Sequence, residues 1–179
     1  MIFSKLVLLS GFILTVAGQV AAITDLPAKT PADYVNPQID THKSRWFYFS
    51  SACRPFGMVN LSPDTRVGGD WGYGYLYGDT NILCFSHIHG WQLYGVPVMP
   101  ITGEFHAQEG LAAAASPFSH ADEIVHPGYH KVFLKRYGVT VELTSTTRVG
   151  FHRYTFPASN PAHIACDTSG SEDVPFHDS

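Results

Sequence analysis

Hydrophobic and polar positions alternate most cleanly at Val139-Thr-Val-Glu-Leu-Thr144, where Val139, Val141 and Leu143 interleave with Thr140, Glu142 and Thr144. A period of two predicts a β-strand with one dry and one wet face. Gly128 to Arg136 precedes it, and Tyr137-Gly138 stands where a hairpin turn belongs. Val149 to Phe156, closed by Pro157, predicts a third strand and Ala162 to Cys166 a fourth; Met58 to Leu61 and Gly95 to Ile101 predict two earlier ones. Helical periodicity never exceeds two turns. Leu111 to Ala115 allows a single turn between Gly110 and Pro117, and 16 glycines with 12 prolines disfavour long helices. The pattern predicts an all-β, antiparallel sandwich without internal repeats.

The amino terminus obeys another rule. Lys5, the apolar run Leu6 to Val16 and the small residues Val20-Ala21-Ala22 predict a signal peptide over residues 1–22. The run is too short for a spanning helix, which needs ~20 residues. A linker over 23–33, carrying Pro27 and Pro31, leads to a sandwich over 34–179, and the expected location is secreted or periplasmic. Beyond Cys166 the polar tail Ser169 to Ser179 shows no strand period, so the domain is expected to be incomplete there.

Without residues 1–22 the chain carries 15 acidic and 10 basic residues, a formal charge of −5. A mildly acidic surface with no basic patch argues against nucleic acid and anionic membranes. Cys53, Cys84 and Cys166 are spaced too widely for a metal knuckle and are expected to be buried, mostly free thiols.

Ten histidines are present, and His87 and His89 flank Ile88. On a strand, residues two apart face one side, so both rings could meet one ligand; histidines bonded to loop carbonyls are the competing reading. Trp91 follows on a glycine-flanked loop, suited to stacking on a sugar or to a core position. Trp71 to Gly78 alternates aromatics with glycine and suggests a binding loop or interface flap. Glycoside hydrolysis needs two carboxyls. Asp64, after Pro63, is expected in a turn, Asp122-Glu123 in a loop and Glu142 on a wet strand face, so none has the apolar setting that makes a general acid. No nucleophile elbow, phosphate loop or HExxH helix occurs.

Six blocks in order, DYVNPQID (33–40), RPFGMVNLSPDT (54–65), GYGYLYGDTNILCFSHIH (72–89), VPVMPITG (96–103), FSHADEIVHPGYHKVFL (118–134) and VELTSTTRVGFHRYTFP (141–157), resemble glycoside hydrolase family 92. The resemblance implies a calcium-dependent, inverting, exo-acting α-mannosidase whose amino-terminal sandwich precedes an (α/α)6 barrel. It implies that the catalytic Glu, the catalytic Asp and the calcium ligands belong to that barrel, leaving this chain without catalytic residues, metal ligands or a cofactor of its own. The sandwich then lends substrate-contacting loop residues: His87, His89 and Trp91 foremost, with Trp71 and Arg54 behind them. The implied partners are α-mannoside glycans and the helical domain. Gln38 to Thr41 and Ser50 to Cys53 depart from the glycine-rich runs of many relatives, as does Gly90-Trp-Gln-Leu-Tyr after His89, which bears on linkage and sugar. A free-standing carbohydrate-binding sandwich and a purely structural exported domain are the alternatives.

Overall fold

The computed structural model describes residues 29–42, 52–66, 74–89, 95–158 and 161–168. The expected signal peptide lies outside them. Of the expected linker, Pro31–Tyr34 forms a 3-10 turn whose Thr30 N–H donates to Asp33 Oδ2 at 2.6 Å.

Two antiparallel sheets face each other. The first contains β1 (Ala52–Cys53), β2 (Asn60–Asp64), β4 (Cys84–Ser86), β5 (Val98–Thr102) and β11 (Ala162–Cys166), in the order β1-β2-β4-β5-β11. The second runs β10-β9-β8-β7, from β7 (Ile124–His126), β8 (Tyr129–Leu134), β9 (Val139–Ser145) and β10 (Gly150–Thr155). A ribbon of β3 (Asn81–Ile82) and β6 (Ser116–Pro117) joins them, and α1 (Gly110–Ala113) is the single turn the sequence allows. The whole second sheet is inserted between β5 and β11, which pair from Thr102↔Ala162 to Val98↔Cys166.

The β8–β9 hairpin shows why the fold forms. His130, Val132 and Leu134 alternate inward on β8, and Val139, Val141 and Leu143 on β9, in a register from Tyr129↔Thr144 to Leu134↔Val139. Each wholly buried aliphatic chain contributes roughly 1.5–3 kcal/mol. They meet Leu61, Phe85, Met99 and Ile101 from the other sheet. The connection is wider than a two-residue turn: both Tyr137 and Gly138 N–H donate to Leu134 O, and Gly138 takes φ +64°. A side chain is disfavoured at that dihedral, which explains the glycine.

β2 contains Pro63, an unusual strand residue. Among the described residues β1 pairs with β2 at Ala52↔Leu61 and Cys53↔Asn60, and Pro63 itself lies opposite Phe85 of β4. On the outer face of the second sheet Glu142 is clamped by Arg153 through two contacts of 2.6 Å, as the wet-face reading expects. Cys84 is buried, Cys53 half-buried and Cys166 exposed; all three are free thiols, with Cys166 departing from the burial expected of it.

Candidate functional site

Three connections meet at one end of the sandwich. Asn60 N–H donates to His87 O at 2.9 Å, and Met58 N–H to Thr147 O at 2.7 Å, tying the β1–β2 loop to the β4–β5 loop and the β9–β10 turn. His87 leaves β4 and reaches across to the opposite sheet. There its Nε2 lies 2.9 Å from Nε2 of His152, whose Nδ1 is 2.8 Å from Tyr154 Oη. Gly150 leaves room for this crossing: a Cβ there would sit 2.8 Å from His87 Cδ2 and 3.3 Å from Val59 Cγ1. Gly150→Ala is therefore expected to cost about 1–3 kcal/mol by overpacking, read by urea denaturation; an unchanged midpoint would show that the imidazole yields freely.

Burial lowers the His87 pKa against a weaker opposing pull from its hydrogen bond to the Val96 backbone. Burial, then the neighbouring His87, takes His152 down to about 4. At neutral pH both rings are thus uncharged. One proton order satisfies every neighbour: Tyr154 O–H donates to His152 Nδ1, His152 Nε2–H to His87 Nε2, and the remaining His87 nitrogen to Val96. Above pH 6.5 folded and unfolded chains hold the same protons at His152. Between there and about 4 only the unfolded chain takes one up, so stability falls with falling pH across that window. The expected loss is on the order of 2 kcal/mol, and His152→Phe should flatten that part of the stability-versus-pH curve.

His89 goes the other way. His87 and His89 follow β4 and are not on it, so the shared face expected of a strand is not formed. His89 is 5% exposed and its Nδ1–H donates to Asn60 O at 2.6 Å. Its Nε2 stands 2.7 Å from Asp64 Oδ1 and 3.1 Å from Ser86 Oγ. The competing reading, a histidine bonded to a loop carbonyl, describes this ring. Asp64, expected in a turn, is the last residue of β2 and wholly buried, because its carboxylate holds the His89 ring in place.

Arg54 is exposed, one residue before the corner Pro55-Phe56-Gly57, where Gly57 N–H closes on Arg54 O at 2.8 Å. Phe56 (φ +60°) is 103% exposed and Met58 71%. Ile88, Val96 and Val149 add exposed apolar surface on the adjoining loops. Trp71 and Trp91 lie outside the described residues. Of the five expected site residues, then, Arg54 and His87 share this end, His89 anchors it from inside, and two are not described.

The described part of the aromatic-glycine segment is no open flap. Tyr75 is fully buried, and Tyr77 stacks on His120 at 3.9 Å between ring centres. Both frame a polar cluster that the sequence reading missed. Glu123, placed in a loop there, is 2% exposed. It accepts from His130 Nε2–H at 2.7 Å, His120 Nδ1–H at 2.6 Å, Tyr75 O–H at 2.9 Å and Gln38 at 3.2 Å. His120 Nε2 also lies 2.8 Å from Tyr77 O, so both nitrogens of this ring face an acceptor. Burial pushes the Glu123 carboxyl up, but the bonds and charge of its partners outweigh this and hold it below the ordinary range.

A glycosidase acid needs a raised carboxyl pKa. Among the described residues, the carboxyls with a shift (Asp33, Glu123 and Glu142) are all pushed down, Glu142 to about 2. Asp64 and Glu123 are engaged by imidazoles, and no group of three or more His, Cys, Asp or Glu placed to hold a metal ion occurs among the described residues. Calcium takes 6–8 oxygen ligands, and these residues do not fit it.

Fold and site together define an antiparallel two-sheet β-domain with apolar side chains exposed on the loops at one end. Over residues 34–175 the sequence matches the family model described as the glycosyl hydrolase family 92 N-terminal domain. The chain therefore belongs to glycosyl hydrolase family 92 and carries its N-terminal domain. Similar solved structures include a family GH92 alpha-mannosidase from Bacteroides thetaiotaomicron, at 34% identity and TM-score 0.67, covering 76% of this chain and 20% of that one. The same enzyme in complex with mannoimidazole aligns at 32% identity and TM-score 0.65, over 76% of this chain and 19% of that one. A family GH92 inverting mannosidase from the same organism aligns at 25% identity and TM-score 0.65, over 78% and 20% of the two chains. The chain thus spans about a fifth of the length of the solved relatives it matches. A search of curated proteins returned no match.

Proposed function

We propose that this domain forms one wall of the substrate cleft of a secreted, calcium-dependent, inverting exo-α-mannosidase acting on α-mannoside glycans. A helical domain supplies the other wall, the acid, the base and the calcium ligands. Membership of family 92 carries the reading, supported by an inverting mannosidase and a mannoimidazole complex among the similar structures. Three properties of the chain agree with it. Its shifted carboxyls sit too low for acid catalysis, Arg54 and His87 are grouped at one end, and that end exposes Phe56, Met58, Ile88, Val96 and Val149. Apolar surface left bare on that scale marks a contact with another surface.

The test is an aryl α-mannoside assay on this chain alone and on a chain extended through the helical domain. No turnover is expected from the first, and EDTA-sensitive turnover from the second. Hydrolysis by the sandwich alone would overturn the proposal. Millimolar or tighter mannose binding by the sandwich alone, read by isothermal titration, would favour a free-standing carbohydrate module instead.

A further inference from the structure

His87 and His152 come from different sheets and meet through like atoms, Nε2 against Nε2 at 2.9 Å. Their ring centres are 4.7 Å apart and their planes 47° apart. A straight hydrogen bond of that length would place the centres about 5.2 Å apart, since each ring nitrogen lies about 1.15 Å from its centre. The rings are therefore bent toward a point beside the line joining the nitrogens. Two imidazoles bound cis on one ion, at about 2.05 Å and a right angle, have nitrogens about 2.9 Å and centres about 4.5 Å apart. The observed pair lies close to that arrangement.

The surroundings agree. Metal-binding imidazoles hold their second nitrogen in a hydrogen bond that fixes ring and tautomer. Here Tyr154 Oη stands 2.8 Å from His152 Nδ1, and the Val96 backbone bonds His87. Ion binding would shift the His152 proton from Nε2 to Nδ1, where it donates to Tyr154 Oη, and so turn the Nε2 lone pair toward the ion. Both rings are half-buried, so an ion can enter.

The geometry points to a two-histidine site for a late divalent transition metal, His87 and His152 binding cis through Nε2, with water or an exogenous ligand completing the sphere. Right-angle nitrogen pairs suit copper(II) or nickel(II), and copper(II) binds such donors most tightly among the first-row divalent ions. Tetrahedral zinc would need the nitrogens spread to about 3.3 Å, and calcium prefers oxygen. The site shares His87 with the end proposed to line the mannoside cleft, but rests on the imidazole geometry and not on that reading.

Copper(II) titration of the 179-residue chain, followed by electron paramagnetic resonance, tests this. One ion bound through two imidazole nitrogens is expected. His87→Gln and His152→Phe should each weaken binding by at least about tenfold, and Tyr154→Phe by about tenfold through loss of the orienting bond. Circular dichroism checks that the variants fold. Should they not, the nitrogen count in the wild-type spectrum decides alone. Fewer than two imidazole nitrogens, or equal affinity in a folded His87→Gln/His152→Phe variant, would overturn the site.

Discussion

Asp64→Ala is expected to destabilise the domain by about 3–5 kcal/mol, because it removes one partner of a buried carboxylate–imidazole pair. His89 Nδ1–H is committed to Asn60 O, and its Nε2 faces Asp64 Oδ1 at 2.7 Å with both side chains 0% exposed. Removing the carboxylate takes away the shortest contact of the His89 Nε2, which Ser86 Oγ at 3.1 Å replaces only in part. A single domain holds only 5–15 kcal/mol in total, so the variant should sit at the edge of folding. Replacing both partners, Asp64→Leu with His89→Phe, should cost much less than the two single changes summed, since no buried polar group is then orphaned. Urea denaturation of the four chains measures this. A single-variant loss under about 1 kcal/mol would mean that the pair does not hold the loop.

Glu123→Ala is the second large effect, again about 3–5 kcal/mol, with a chemical signature of its own. The change removes the carboxylate that faces both His130, itself 0% exposed, and His120. Tyr75 loses its O–H acceptor as well. Burial and then Glu123 push that phenol above its ordinary range, so removing the carboxylate should make Tyr75 titrate at lower pH in any variant that stays folded. The wild type should also weaken in acid. The folded Glu123 carboxyl is depressed from 4.5, so its contribution is complete above that pH and is lost as pH falls through the lower folded value. This window lies below most of the His152 window, so the two are separable by comparing His152→Phe with wild type. Unchanged Tyr75 titration in folded Glu123→Ala would contradict the coupling.

Both clusters evaded the sequence reading for one reason. Glu123 draws on residues 38, 75, 120 and 130, and Asp64 on 84 and 89, the latter held in turn by 60 and 86, so the partners share no period or motif. Asp64 also follows Pro63, a usual turn signal, yet β2 runs through both residues, which pair with Phe85 and Cys84 of β4. β4 escaped notice as three residues with every side chain buried, too short and uniform to alternate. The β8–β9 hairpin was legible because six inward positions repeat every second residue on two adjoining strands. His152 sat in a predicted strand, but nothing local pointed to His87, 65 residues earlier.

Strand-forming runs, the all-β class and the likeness to family 92 are written in local order, since alternation and turn residues act between neighbours along the chain. Partner choice among the histidines is not local. Folding sent His87 to the facing sheet and His89 to the interior, although one residue separates them, because buried imidazoles settle where a distant acceptor meets each nitrogen.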